Sequence, residues 1–259
     1  MTFIPRHRQP IAPGVGVALV TLFDHDGTLM VERTAALAQR LIEHGAASVM
    51  VAGTTGEFWA LRDDERLHLV SAVRHAVGDH VPVIGHVGGV STDRTTAMAT
   101  RMESAGASAV IALPLGAADS TLHTYYREIC VNTDLPVMAY NLPQAGASIP
   151  TEQLEQLPVT GIKDSSGDGA RLVSEVVDMG LETYTGAPSL LGLAHEAGAT
   201  GAILGLANVF PERTAAAFAG DRGASITMIP DFTASERNFP ADLKAMTARR
   251  WGTPDGTRR

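Results

Sequence analysis

Short apolar runs and longer stretches of helical spacing alternate along the chain. Short runs, most of them rich in valine, isoleucine and alanine, stand at 15–22, 48–52, 81–86, 108–113, 136–140, 159–163, 182–186 and 199–204. After them, the segments 31–44, 62–77, 92–105, 119–132, 151–157, 168–179, 188–197 and 211–219 set apolar residues three and four apart. The short runs are continuous rather than alternating, as in strands buried on both faces. Eight strands, each followed by a helix, predict an α/β protein built as a (β/α)8 TIM barrel.

The junctions agree with this reading. His44-Gly45-Ala46-Ala47, Ala105-Gly106-Ala107 and Glu196-Ala197-Gly198-Ala199 put glycine where a helix should stop before the next strand. Thr92-Asp93 and Pro150-Thr151-Glu152 read as helix starts. The 34-to-44-residue recurrence has the length of a helical repeat, but its units carry strand-like runs and no shared signature. The expected organisation is an N-terminal arm over 1–14, the barrel over 15–219, and a C-terminal helical extension and tail over 220–259. That short appendage holds Pro230, Pro240 and Pro254, a helix around 240–250, and a tail expected to be loosely held from Gly252.

Composition narrows the partners. The 259 residues carry a net charge of −8, and an acidic surface offers nothing to phosphate backbones, so nucleic acid is not expected. No apolar run is long enough to span a bilayer, and the N-terminus lacks the apolar core of a secretory signal. With a single cysteine there is no internal disulfide framework, and a cytoplasmic protein is expected; Cys130 itself, in an apolar helical stretch, is read as core filler. Of the 20 basic residues only two are lysines, Lys163 and Lys244. The first sits inside an apolar run, where arginine could not replace it as an amine nucleophile.

A barrel places its chemistry at the C-terminal ends of the strands and in the loops that follow. Three of these carry unusual residues. Gly53-Thr54-Thr55-Gly56-Glu57, after the second strand, offers backbone N–H groups and paired hydroxyls suited to a small carboxylate, or forms an ordinary capped turn. Tyr140-Asn141-Leu142-Pro143, after the fifth, brings a tyrosine able to relay a proton or merely to pack at the rim. Gly161-Ile162-Lys163-Asp164 ends the sixth; a lysine inside a barrel is costly unless neutral or paired, and a neutral amine is what imine catalysis needs. The alternative is a lysine reaching to water.

In this order, and with this strand rhythm, the three motifs resemble the dihydrodipicolinate synthase / N-acetylneuraminate lyase family of class I pyruvate-dependent aldolases, over about Val15 to Gly220. The resemblance implies that Lys163 forms a Schiff base with a 2-oxo acid such as pyruvate. It implies that Thr54 and Thr55, with Gly53, hold the carboxylate, that Thr54 and Tyr140 relay protons, and that Gly186 and Ile203 line the pocket. No metal or organic cofactor is implied, since the covalent imine is the electron sink. The expected partners are a 2-oxo acid, an aldehyde and further copies of the chain, as a dimer or tetramer.

The chain departs from the family at several points. Lysine-pathway synthases carry an arginine shortly after the Tyr-Asn-x-Pro motif to clamp the second substrate's carboxylate, and here Ala145 stands in its place. Their neighbour-subunit tyrosine comes from a Pro-Tyr-Tyr segment after strand four, where this chain has Pro114-Leu115-Gly116. Tyr125 and Tyr126 lie further on, within a predicted helix, and are poor substitutes. The C-terminal helical region is also shorter than is usual for the family. His86, at the mouth of strand three, replaces a small residue; it either contacts the distal part of the substrate or substitutes in proton transfer, or else bonds a loop carbonyl.

The expected activity is reversible aldol cleavage of a 2-oxo-4-hydroxy acid to pyruvate and an aldehyde, as in a 2-keto-3-deoxygluconate-type aldolase. Dihydrodipicolinate synthase chemistry and hydratase-aldolase or dehydratase chemistry diverge from the same iminium. Two readings fall outside this class. One is a non-catalytic 2-oxo-acid binder. The other is a haloacid-dehalogenase-type phosphatase, suggested by Asp24-His25-Asp26-Gly27-Thr28, which would require a doubly wound sheet.

Overall fold

Valine and isoleucine favour a pleated backbone buried on both sides, and runs that carry them form most of eight short strands, Glu182-Thr183-Tyr184-Thr185 supplying β-branched and aromatic residues instead. The computed structural model describes residues 10–89, 91–114 and 122–258. Its strands are β1 (Gly14–Ala18), β2 (Ser48–Val51), β3 (Val83–His86), β4 (Ala109–Ala112), β5 (Val137–Asn141), β6 (Gly161–Asp164), β7 (Glu182–Thr185) and β8 (Gly201–Leu204). Each pairs parallel with its sequence neighbours, and β8 returns to β1 from Gly14–Gly201 to Val17–Leu204, closing the barrel. The expected (β/α)8 fold is the observed one.

Eight helices follow the strands: α1 (Val31–Glu43), α2 (Asp63–Val77), α3 (Thr92–Ser104), α4 (Leu122–Val131), α5 (Thr151–Leu154), α6 (Gly169–Val173), α7 (Leu191–Ala197) and α8 (Pro211–Phe218). The segment Pro114-Leu115-Gly116 lies outside the described residues beyond Pro114. Because strand residues alternate in direction, the core has two parts. Met50, Ile84, Ile111, Met138, Tyr184 and Ile203 belong to the cluster filling the barrel, and a larger cluster packs sheet against helices. Cys130 packs against the outer cluster with its Sγ–H donating to Pro158 O at 3.0 Å, and burial pushes its thiol up to about 12.

The first strand is shorter than its apolar run. Past Ala18, Val20 N–H donates to Asn208 Oδ1 (3.0 Å) and Leu22 N–H to Thr34 Oγ1 (3.0 Å), so side chains take the bonds a ladder would have held. The single helix expected over 168–179 changes at Ser174 into a π-helical turn reaching Asp178.

The C-terminal region differs most from expectation. From Gly220 it forms two helices, α9 (Arg222–Glu236) and α10 (Ala241–Trp251), where one was expected. Helix α9 packs on α8 and on the turns that follow β7 and β8, over the mouth of the barrel. The tail from Gly252 is docked, not loose. Gly256 bridges to Phe23, and the Arg258 side chain donates to Gly27 O (2.8 Å), Ala60 O (3.1 Å) and Glu65 Oε2 (2.8 Å). Charged groups that find several partners at once order a segment whose composition reads as a free end. Among the described residues no helix is long and apolar enough to cross a membrane.

Candidate active site

Tyr140 and Lys163 are register partners on β5 and β6, and both point into the barrel. Lys163 Nζ donates to Tyr140 Oη at 3.1 Å, and Thr54 Oγ1 lies 3.1 Å from the same phenolic oxygen. The result is a continuous chain of amine, phenol and hydroxyl. Burial alone would raise the Tyr140 phenol. The Lys163 charge, with hydrogen bonds to Thr54, Lys163 and Ser165, outweighs it and holds the phenol below its ordinary value.

The next residue on each strand points the other way, and these two are paired as well. Asn141 Nδ2 donates to Asp164 Oδ1 at 2.7 Å, while Asn141 Oδ1 accepts from Ile149 N–H at 2.8 Å. Asp164 also accepts from Ser166 N–H (2.9 Å) and Ser166 Oγ–H (2.8 Å). This outward lock fixes the register that sets Tyr140 beside Lys163, because a slip by one residue would turn both inward side chains out.

Behind the lock, Arg171 Nε lies 2.7 Å from Glu175 and 3.5 Å from Asp164, so two carboxylates share one guanidinium. Burial, then the Asp164 charge, push the Glu175 carboxyl up to about 7 despite Arg171. An acid with a raised folded-state value binds its proton more tightly when folded. Its contribution to stability is therefore complete below about pH 4.5 and is lost as pH rises through about 7. Glu175→Gln removes that titration. The stability difference between variant and wild type, read from urea midpoints at pH 5 and pH 8, should shift toward the variant at pH 8 by up to roughly 3 kcal/mol. A difference independent of pH would contradict this.

The Gly53–Glu57 loop is bent between two residues that strain against it. Ala52 and Glu57 both have φ of 55°, a left-handed conformation uncommon without glycine and worth about 1–3 kcal/mol of strain each. Gly53 O accepts from Gly56 N–H (3.0 Å) and Phe58 N–H (3.2 Å), and Thr21 Oγ–H holds Gly56 O at 2.8 Å. Among the described residues, neither Thr54 N–H nor Thr55 N–H has an acceptor. Two backbone donors beside two hydroxyls make an anion nest. Glu57 anchors the loop from the far side, ion-paired with the fully buried Lys244 and accepting from Arg258 N–H at 3.0 Å.

Thr54, Thr55, Tyr140, Ala145, Lys163, Gly186 and Ile203 line one cavity of about 440 Å³ at the barrel mouth. Gly186 must be glycine: a Cβ there would stand 1.9 Å from Ser165 Oγ and 3.2 Å from Lys163 Cε. Gly53 and His86, also expected at the site, are not on the cavity wall. Gly53 shapes the turn instead. His86 lies behind Tyr140, fully buried, with its ring 4.6 Å from Phe58 and 6.4 Å from Tyr140. Its Nδ1 is 3.3 Å from Arg66 Nη2; burial first, then the charges of Arg66 and Lys163, hold it well below the usual imidazole value and keep it neutral. It therefore supports Tyr140 by packing, rather than meeting substrate or bonding a loop carbonyl.

Tyr125 and Tyr126 donate to Leu113 O (2.8 Å) and Ala112 O (2.9 Å), away from the cavity. In the Asp24–Thr28 turn, Asp24 Oδ1 accepts from Asp26 N–H (2.9 Å) and Thr28 N–H (2.8 Å). That carboxylate caps a turn, and the closed barrel provides no doubly wound sheet, which sets the phosphatase reading aside.

A buried amine hydrogen-bonded to a phenol that also meets a threonine hydroxyl, at the C-terminal mouth of a (β/α)8 barrel, fits a lyase of the class I aldolase type. The chain belongs to the dihydrodipicolinate synthetase family, whose model matches residues 12–224. It is 36% identical over 211 residues to an uncharacterized DapA-like lyase of Halobacterium salinarum, covering 77% of this chain and 68% of that one. It is 31% identical over 255 residues to the 4-hydroxy-tetrahydrodipicolinate synthase of Acidothermus cellulolyticus, covering 92% and 83%. Among solved structures, a Pseudomonas aeruginosa protein provisionally assigned as a dihydrodipicolinate synthetase superposes with a TM-score of 0.88 at 27% identity, over 95% of this chain and 92% of that one.

Proposed function

We propose that the protein cleaves a 2-oxo-4-hydroxy acid reversibly to pyruvate and an aldehyde through an imine on Lys163, and that the aldehyde is not an amino-acid semialdehyde. The observation that carries the reading is the Lys163–Tyr140–Thr54 chain on the wall of a cavity where Ala145 replaces a cation. Among the described lining residues Lys163 is the sole cation, so a second carboxylate finds no guanidinium partner. The relatives named as synthases speak for condensation with aspartate semialdehyde, and Ala145 speaks against it.

Each step has a group at hand. The Lys163 amine, as free base, adds to the 2-oxo carbon while Thr54, Thr55 and their N–H groups hold the adjacent carboxylate. Tyr140 gives its proton to the departing hydroxyl, which leaves as water, and an iminium remains. The phenolate then takes the proton of the C4 hydroxyl. The C3–C4 bond breaks, its electron pair moving toward the iminium to give an enamine, and the aldehyde departs. Proton return to C3 and addition of water release pyruvate and restore the amine. The iminium itself accepts the electrons, so the sequence calls for no metal or organic cofactor.

Pyruvate and borohydride added to the wild-type protein should leave one reduced pyruvyl group, located on Lys163 by peptide mass spectrometry. A folded protein that yields no adduct with pyruvate or with several other 2-oxo acids would overturn the proposal in favour of simple binding.

A further inference from the structure

Glu236, the last residue of α9, lines the same cavity as Lys163, together with Phe232 and Phe239. Among the described residues no hydrogen bond or ion pair reaches its carboxylate. Its only marked influence is burial, which raises its pKa. By surface area Glu236 is exposed at the rim of the cavity, so water meets its carboxylate, and a ligand that displaces that water must donate a hydrogen bond in its place. The neighbouring polar groups on the wall are neutral: the hydroxyls of Ser165, Ser166 and Ser189 and the amide of Gln144. Gln144 Nε2 donates to Ser165 O at 3.2 Å, and its amide oxygen can accept a further bond. Once the amine and the threonine pair have taken up the 2-oxo acid, the groups left for the aldehyde half are hydroxyls, an amide and one unpaired carboxylate.

We infer that Glu236 is a specificity-determining residue: its carboxylate accepts hydrogen bonds from hydroxyls on the aldehyde half of the substrate and turns away aldehydes bearing a second carboxylate. The substrate class is then the 2-oxo-4-hydroxy acids whose released aldehyde is an uncharged polyol. Hydroxyl-to-carboxylate bonds are among the stronger hydrogen bonds, and a site built for them discriminates sharply against a partner that lacks them. A carboxylate facing Glu236 meets a like charge with no cation between them. This inference rests on the aldolase reading of the site.

The test is condensation of pyruvate with glyceraldehyde, propionaldehyde, succinic semialdehyde and 3-aminopropanal, comparing wild type with Glu236→Gln and Glu236→Ala. In the wild type, kcat/KM for glyceraldehyde should exceed those for propionaldehyde and succinic semialdehyde by about tenfold or more, and should not fall below that for 3-aminopropanal. In Glu236→Gln the ratio of succinic semialdehyde to glyceraldehyde should rise about tenfold, and in Glu236→Ala the advantage of glyceraldehyde over propionaldehyde should shrink. Ratios within one variant are insensitive to how much of it is folded. Unchanged ratios in both variants, or a wild type that prefers the amino aldehyde, would overturn the inference. Borohydride trapping of pyruvate on the same samples separates the two levels of the argument. An adduct with unchanged ratios leaves the aldolase reading intact, and no adduct on wild type overturns both.

Discussion

Replacing Lys163 by arginine should abolish the borohydride adduct and lower kcat/KM by at least about 10⁴-fold, as for loss of an essential covalent nucleophile. Arginine keeps a positive charge within reach of Tyr140 but cannot become a free amine, so charge and nucleophilicity are separated. The position is buried, 3% exposed, and the larger guanidinium must press on its surroundings. Lys163→Ala with added ethylamine serves as the control that does not crowd the site. Partial rescue of turnover there would show that an amine, not merely a cation, is required. Turnover within tenfold of wild type in Lys163→Arg would sink the imine mechanism.

Lys244→Met should cost about 3–5 kcal/mol, the usual loss when one partner of a buried ion pair is removed. Lys244 is fully buried; burial lowers its pKa, while its hydrogen bond and charge interaction with Glu57 oppose that shift. Methionine fills the volume but leaves the Glu57 carboxylate buried with only the Arg258 N–H as a described donor. For a chain of this size the melting temperature should fall by roughly 6–20 °C. Because Glu57 ends the strained loop that carries Thr54 and Thr55, KM for pyruvate should rise as well. Glu57→Gln in the Lys244→Met background should recover part of the stability by removing the stranded charge. A single variant that melts within 2 °C of wild type would show that the pair does not anchor the loop.

The barrel was legible because eight continuous apolar runs leave few other ways to bury both faces of each strand. That Thr54, Tyr140 and Lys163 would meet was legible for a narrower reason: they stand near or just past the ends of three strands, and a barrel gathers strand ends at one mouth. The Asn141–Asp164 lock was not legible as such. Sequence gives the alternation that turns these two outward, but not that they face each other across β5 and β6. His86 had the right position along its strand, yet only the structure shows it buried against Phe58 and Arg66 and off the cavity wall. Helix α9 was missed because its apolar residues form no stripe and Pro230 lies in its middle. With it went Glu236. The docked tail was hidden by composition, since Gly252–Arg258 resembles a free end until its partners at Phe23, Gly27 and Glu57 are known.

That docking also sets a schedule for biosynthesis. Glu57 waits for Arg258, 201 positions later, and at ordinary elongation rates of about 5–20 residues per second the interval is roughly 10–40 s. During that time the segment from Ala52 to Glu57 exists without the groups that hold its strained turn in the folded protein. The loop that carries Thr54 and Thr55 is thus braced only after every strand of the barrel has been made. A ribosome-bound intermediate can possess all eight barrel strands and still lack the brace that holds this loop in its strained turn.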